Sequence, residues 1–241
     1  MLKKLAKISQ TIVRVYSKWH FLRGIPVKDF ARLSKVRMAF AVRPYTMLSY
    51  ARLSKLYETA SYLQRERVKG NFVECGVWNG GSAGMVASVA KNDTNRHCWL
   101  FDSWEGLPKP TEYDISYTEE QGKEGMALGS EERVRELLLY KLKLNQEMIH
   151  LVKGWFNDTL PSHKKYIGRI ALLHLDCDWY KSVKFCLDEL YASVSSGGYI
   201  FIDDYGHWIG CKKATDEFIE ERNLEIDLTK IDYTGVYFQK P

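Results

Sequence analysis

From residue 71 onward, short apolar runs alternate with helical stretches, and most of the apolar runs stop at an acid. "NFVECGV" reads as a buried strand ending in Glu74-Cys75-Gly76, and "HCWLFD" as a second ending in Asp102. "MIHLVKG" is a third. "RIALLHLD" is a fourth, apolar on both faces as a central parallel strand should be, and "YIFIDD" is a fifth. Residues 82–91 read as a helix of small residues, and "SEERVRELLLYKL" as one capped by Ser130. "SVKFCLDELYASV" is a helix stopped by Gly197 and Gly198, and "ATDEFIEERN" another. "LEIDLTKI" and "TGVYFQK", parted by the turn-prone "DYTG", add two more strands. This alternation predicts an α/β fold, a parallel sheet with helices on both faces. Open sheets of this kind bind ligands outside the carboxyl ends of their strands. The acids gather at those ends.

Residues 1–70 show no such alternation. "YTMLSYARLSKLYETASYLQRER" has apolar spacing near 3.6 with no Pro or Gly, and Pro26 and Pro44 punctuate the stretch before and into it. The expected division is a basic helical N-terminal extension, 1–70, and an α/β domain, 71–241. Within the domain, residues 104–130 are too long for a passive connection and are expected to be a lid bent by Gly and Pro. The extension holds 16 Lys and Arg against 3 Asp and Glu, while residues 71–241 hold 19 against 27. A basic arm before an acidic body suggests contact with a membrane surface or a phosphorylated carrier rather than nucleic acid, or attraction within one fold or a homo-oligomer. As a helix, the first residues put Leu2, Leu5, Ile8, Ile12 and Val15 near one face. They lack the apolar core and cleavage site of a signal peptide. The 5 Cys show no metal-finger spacing and read as buried reduced thiols of a cytoplasmic protein.

Two constellations carry chemistry. "ECGVWNGGSA" does not have the spacing of the dinucleotide fingerprint, and Glu74 would repel a phosphate. A carboxylate beside Gly76, Gly80, Gly81 and Ser82 suits a cationic ligand that backbone can approach closely, and S-adenosylmethionine carries an ammonium, a sulfonium and an adenosine. Asp102, followed by Ser103, ends the next strand, where an acid can accept from ribose hydroxyls. A turn that merely needs small residues is the competing reading. The second constellation is "HLDCDWY" and "FIDDY", which crowd Asp176, Asp178, Asp203 and Asp204 if their strands are neighbours. A hard divalent cation, Mg²⁺, Ca²⁺ or Mn²⁺, would relieve that repulsion, whereas helix capping would explain a single Asp.

The ordered set "YTMLSYARL", "ECGVWNGGSA", "FDSWEGLP", "VKGWFNDTLP", "HLDCDWYKS" and "GGYIFIDDYGHWIGCKKATDEF" resembles the macrocin O-methyltransferase family, over roughly residues 43–239. The resemblance implies the class I methyltransferase Rossmann-like fold, a mostly parallel seven-stranded sheet with an antiparallel C-terminal strand. It implies an enzyme that uses S-adenosylmethionine and Mg²⁺ to methylate a hydroxyl of a sugar-containing acceptor. Asp176, Asp203 and Asp204 would bind the metal, and Asp176 would be the general base. Related catechol-type enzymes use a lysine just after that position, where this chain has Trp179. His207 and Asp178 are the alternative bases. Trp155 and Phe156 stand where the family contacts adenine, and Tyr45 and Met47 are placed to close over the cofactor. Two other readings compete: a glycosyltransferase using Asp176-Cys177-Asp178, and a non-catalytic module tethered by the arm.

Overall fold

The computed structural model describes residues 21–31 and 33–241. The amphipathic face expected over Leu2 to Val15 therefore lies outside the described residues. Seven strands form one sheet: β1 (Asn71–Cys75), β2 (Cys98–Asp102), β3 (Ile149–Lys153), β4 (Ile170–Leu175), β5 (Val194–Ile202), β6 (Thr229–Lys230) and β7 (Val236–Gln239). Their order is β3-β2-β1-β4-β5-β7-β6. Pairing is parallel from β3 through β5, and β7 runs antiparallel to both β5 and β6. Six strands thus point one way and the C-terminal strand the other, as expected.

Helices cover both faces: α1 (Leu33–Val42), α2 (Tyr50–Arg65), α3 (Gly81–Val89), α4 (Glu131–Arg135), α5 (Phe156–Ile167), α6 (Tyr180–Leu190) and α7 (Ile209–Glu221). Alternation along the strands divides the core in two. Phe72, Leu100, Leu172 and Phe201 pack with Val36, Leu53 and Met85 from α1, α2 and α3. Val73, Phe101, Leu173 and Ile200 pack with Leu160, Leu187 and Phe218 from α5, α6 and α7. Both sheet faces are buried, which is why β4 reads as an unbroken apolar run.

Helices α1 and α2 are joined to each other by a buried cation. Lys35 is 1% exposed, and its ammonium meets Asp29 at 2.8 Å, Glu58 at 2.7 Å and Ser54 at 2.9 Å. At the start of α2, the Ser49 side chain accepts from the Arg52 amide and caps the helix. Among the described residues, no helix is long and apolar enough to cross a membrane.

Local details depart from the sequence reading. Helix α5 has no counterpart in it, because Pro161 sits inside the helix where a proline removes an amide donor. The pair Gly197-Gly198 does not end the preceding helix. It lies within β5, and the register against β4 shifts between Ile170 and Leu172. Helix α7 begins at Ile209, before the "ATDEF" stretch, and β6 keeps only two residues of "LEIDLTKI". Helix α4 lasts five residues and continues as a π-helix over Glu136–Lys141.

The long segment after β2 pairs its two flanks with each other and docks its centre on the body. The Leu107 amide donates to the Met126 carbonyl and the Gly125 amide to the Leu107 carbonyl. Bridges join Ile115 to Gln121 and Ser116 to Trp208. Asp114, 1% exposed, accepts from Thr111 through Oδ2 and from the Tyr180 amide at the start of α6 through Oδ1.

Candidate active site

The strand order reverses at β1 and β4, and a cleft opens outside their carboxyl ends, where such sheets bind ligands. The glycine turn leaves β1 there. Gly76 has φ +89°, and a Cβ on it would lie 1.8 Å from the Asp176 carbonyl oxygen. A side chain is therefore excluded by the backbone of β4's extension, not only by a ligand. Gly81 is confined in a similar way by the arm, since its Cβ would lie 2.5 Å from the Thr46 Cβ. The turn needs small residues for packing, and Gly76, Val77, Trp78 and Ser82 also line the cleft.

Asp102 sets the shape of this turn. Its Oδ2 accepts from the amides of Val77 at 2.7 Å and Trp78 at 2.8 Å, and its Oδ1 accepts from the Trp104 amide at 2.7 Å. Asp102 and Ser103 both line the cleft, as do Tyr45 and Met47 from the arm and Trp155 and Phe156 beyond β3. Leu107, Pro108 and Ala127 supply a wall from the long segment.

Glu74, Gly80 and Gly81 do not line it. Glu74 is 4% exposed and lies beneath the turn, where its Oε1 accepts from the Ser82 hydroxyl at 2.5 Å. The same oxygen lies 2.9 Å from His174 Nδ1. Glu74 reaches the cleft through Ser82 and, by way of His174, through the acids on the other side.

The second constellation closes the other side. The parallel ladder continues past the strands: the Asp176 amide donates to the Cys75 carbonyl and the Asp203 amide to the Leu175 carbonyl, both at 2.9 Å. This continuation puts the acids of adjacent strands side by side. Carboxylate oxygens of Asp176, Asp203 and Asp204 all lie within 4.8 Å of one another. Asp178 adds a fourth acid, accepting from Trp208 Nε1 at 3.0 Å.

The electrostatics follow from that crowding. Burial, and then the charge of Asp203, raises Asp176 well above the ordinary carboxylate range. Asp204 is raised by burial and then by Asp178 and Asp203. Asp178 is pushed up to about 6 by burial and Asp203. Buried acids held apart from their counter-charges resist ionisation. An all-oxygen, acid-rich donor set of this kind fits a hard divalent cation.

Three further residues belong to the site and escape a reading by motif. His174 bridges Glu74 and Asp203, with its Nε2 3.6 Å from Asp203 Oδ1. Burial alone would lower its pKa, but hydrogen bonding to Asp203 and Glu74 outweighs that and holds it well above the usual histidine value. Arg52 from α2 pairs with Asp203, and its Nε lies 3.1 Å from Asp232 Oδ2. Asp232 also accepts from the Ser49 hydroxyl at 2.6 Å. The signal for His174 was a lone imidazole in an apolar run, and for Arg52 its place in "YTMLSYARL". Neither gives direction without the fold. Trp179 is 1% exposed and packs beneath Gly122, and no lysine among the described residues lines the cleft. His207 stands outside it, with its Nδ1 3.5 Å from the Tyr233 hydroxyl.

Comparisons with known proteins follow this geometry. The family model described as Macrocin-O-methyltransferase (TylF) matches residues 9–240, so the likeness begins well before residue 43. The demethyldecarbamoylnovobiocin O-methyltransferase of Streptomyces niveus is 34% identical over 206 residues, 81% of this chain and 76% of that protein. A 31% identical relative from Streptomyces olivaceus, covering 81% of this chain and 75% of that protein, is the 8-demethyl-8-(2,3-dimethoxy-alpha-L-rhamnosyl)-tetracenomycin-C 4'-O-methyltransferase. Among solved structures, the O-methyltransferase NovP superposes with a TM-score of 0.73 at 32% identity, over 81% of this chain and 82% of that one.

Proposed function

Because this chain belongs to the macrocin O-methyltransferase family and is an S-adenosylmethionine-dependent O-methyltransferase, we propose that it methylates a sugar hydroxyl with a magnesium ion held by Asp176, Asp203 and Asp204. The observation that carries the metal is the convergence of those three carboxylates within 4.8 Å at the ends of adjacent strands. The sugar rests on the rhamnosyl-bearing substrate in the name of one relative. A glycosyltransferase or a bare tether is set aside by family membership.

Each part of the cleft has a task. Bound there, S-adenosylmethionine supplies an electrophilic methyl group, and a divalent cation supplies Lewis acidity that lowers the pKa of an acceptor hydroxyl. Asp102 orients the Val77 and Trp78 amides and so holds the turn rigid against the cofactor. Ser82 would offer its oxygen to the cofactor's amino-acid end, since its hydroxyl hydrogen is donated to Glu74. Trp155 and Phe156 would hold the adenine, Ser103 the ribose, and Tyr45 and Met47 would cover the cofactor from the arm, all of them lining the cleft. Asp176 would take the proton from the acceptor hydroxyl as its oxygen bonds to the methyl carbon and the carbon–sulfur bond breaks, its electron pair staying on sulfur in the departing S-adenosylhomocysteine. Holding two substrates in line supplies much of the remaining acceleration.

The test is a radiolabelled methyl-transfer assay on a panel of glycosides and nucleotide sugars. Chelation should abolish transfer and Mg²⁺ restore it. Asp204→Asn should raise the Mg²⁺ concentration required, whereas Asp176→Asn should lose about 10²–10⁴-fold that saturating Mg²⁺ does not recover. Transfer that persists after chelation would sink the metal reading. Full recovery of Asp176→Asn in high Mg²⁺ would move the base to Asp178, which lines the cleft where His207 does not.

A further inference from the structure

Arg52 is the one cationic side chain, among the described residues, that lines the cleft. It comes from the first turn of α2, not from the sheet that carries the acids. Its Nη1 donates to Asp203 Oδ2, and the charges of Asp203, Asp232, Asp176 and Asp204 all act on it, outweighing the effect of its burial. The other end of the guanidinium is poorly served. Nε is buried and finds no well-aligned acceptor, although Asp232 Oδ2 is only 3.1 Å away. The group is therefore gripped by a proposed metal ligand and rests loosely against a second carboxylate.

That second carboxylate is itself fixed. Asp232 Oδ1 accepts from the amides of Thr234 at 3.0 Å and Gly235 at 2.9 Å, and its Oδ2 accepts from Ser49 at the cap of α2. A small rotation of the guanidinium would align Nε with an acceptor that is already in place. Meanwhile the cluster of Asp176, Asp178, Asp203 and Asp204 is costly without a cation nearby. A divalent ion on Asp203 and a guanidinium on the same carboxylate would repel each other at short range.

We propose that Arg52 is a resident counter-ion, which holds Asp203 while the metal is away and yields it by turning onto Asp232 when a divalent cation enters. Metal binding is then an exchange of one cation for another. Arg52 keeps the ligand set assembled in the metal-free protein and weakens metal affinity through competition. It is a positioning residue, since it acts on the metal ligands and takes no part in bond making.

The inference rests on the metal reading above, and the experiment separates the two. Mn²⁺ binding to the full chain, saturated with S-adenosylhomocysteine, is followed by electron paramagnetic resonance of the free ion. Arg52→Met should bind Mn²⁺ at least about tenfold more tightly than the wild type, because a competing charge at close range is gone. Arg52→Lys, which keeps the charge, should stay within about threefold. Without metal, Arg52→Met should melt earlier than the wild type, and Mn²⁺ should raise its melting temperature by more. Asp232→Asn removes the place of retreat and should weaken Mn²⁺ binding, and adding Arg52→Met to it should abolish that weakening. This pair covers the case in which Arg52→Met alone folds poorly. Equal or weaker Mn²⁺ binding by a folded Arg52→Met overturns the exchange while leaving the metal site standing. A wild type that binds no Mn²⁺ overturns the metal reading, and the exchange with it.

Discussion

At the scale of single residues, Asp102 does two things with one carboxylate. It ends β2 at the cleft, and it gathers three backbone amides from two loops. Asp102→Ala would leave those donors without a partner, at about 1–3 kcal/mol. Calorimetry should show S-adenosylhomocysteine binding weakened by that order. Unchanged affinity would mean that the turn keeps its shape unaided. The strand-end position of Asp102 was legible in "HCWLFD", but its partners were not, because they depend on how β1 and β2 register. His150 makes a second case. It stacks on Trp99 at 4.1 Å between ring centres and lies 2.7 Å from His97, nitrogen to nitrogen. Burial, and then the charge of His97, lowers its pKa. Its penalty is therefore absent above the unfolded value of about 6.5, grows as the pH falls from there to the depressed folded value, and is fully present below it. His174 has the opposite sign, being raised, and favours the fold more as the pH drops. The informative quantity is the difference in melting temperature between the wild type and His150→Gln. That difference should move against the wild type between about pH 7.5 and pH 5.5, and a constant difference would discount the histidine pair.

At the scale of elements, the segment between β2 and α4 is two flanks around a fixed centre. Asp114 caps α6 and Ser116 bridges to Trp208, so residues 114–122 are docked. The flanks hold Leu107, Pro108 and Ala127 against the cleft through the Leu107–Met126 pairing. We expect motion in the flanks and not in the centre. Limited proteolysis should cut first within 104–112 or 123–130, and S-adenosylhomocysteine should slow it. Early cleavage within 114–122 would contradict the docking. The length and the Gly and Pro content of this segment were legible in the sequence. Its docked centre was not, since one buried Asp among many exposed acids leaves no periodic mark. Helix α5 was hidden by Pro161, and the first half of β5 by the glycine pair inside it. In both cases a local breaker is overruled by packing against the sheet.

At the scale of the whole molecule, the alternation from residue 71 was enough to foresee a parallel sheet with acids at one end, because both sheet faces must be buried and the crossovers must return the chain, while the antiparallel C-terminal strand came from the family resemblance. It could not foresee how far the arm enters that plan. Beyond Tyr45 and Met47, which the family resemblance already placed over the cofactor, Val36 and Leu53 share a core with β1 and β4, and Arg52 meets Asp203. These contacts are long-range and carry no spacing signal. The five thiols have a practical consequence. Cys75, Cys98, Cys177, Cys186 and Cys211 are all buried and free. A water-borne alkylating reagent can reach each one only when its surroundings open, so labelling followed by peptide mass spectrometry times the opening of each region separately. Cys75 and Cys177 adjoin Gly76 and Asp176 at the cleft, whereas Cys98 sits at the far end of β2. Cofactor should slow the first two and leave Cys98 at its own pace. Equal slowing of all would mean that the two halves of the core open only as one. Without any engineered probe, the chain thus carries a set of stopwatches, one near each part of the machinery they would time.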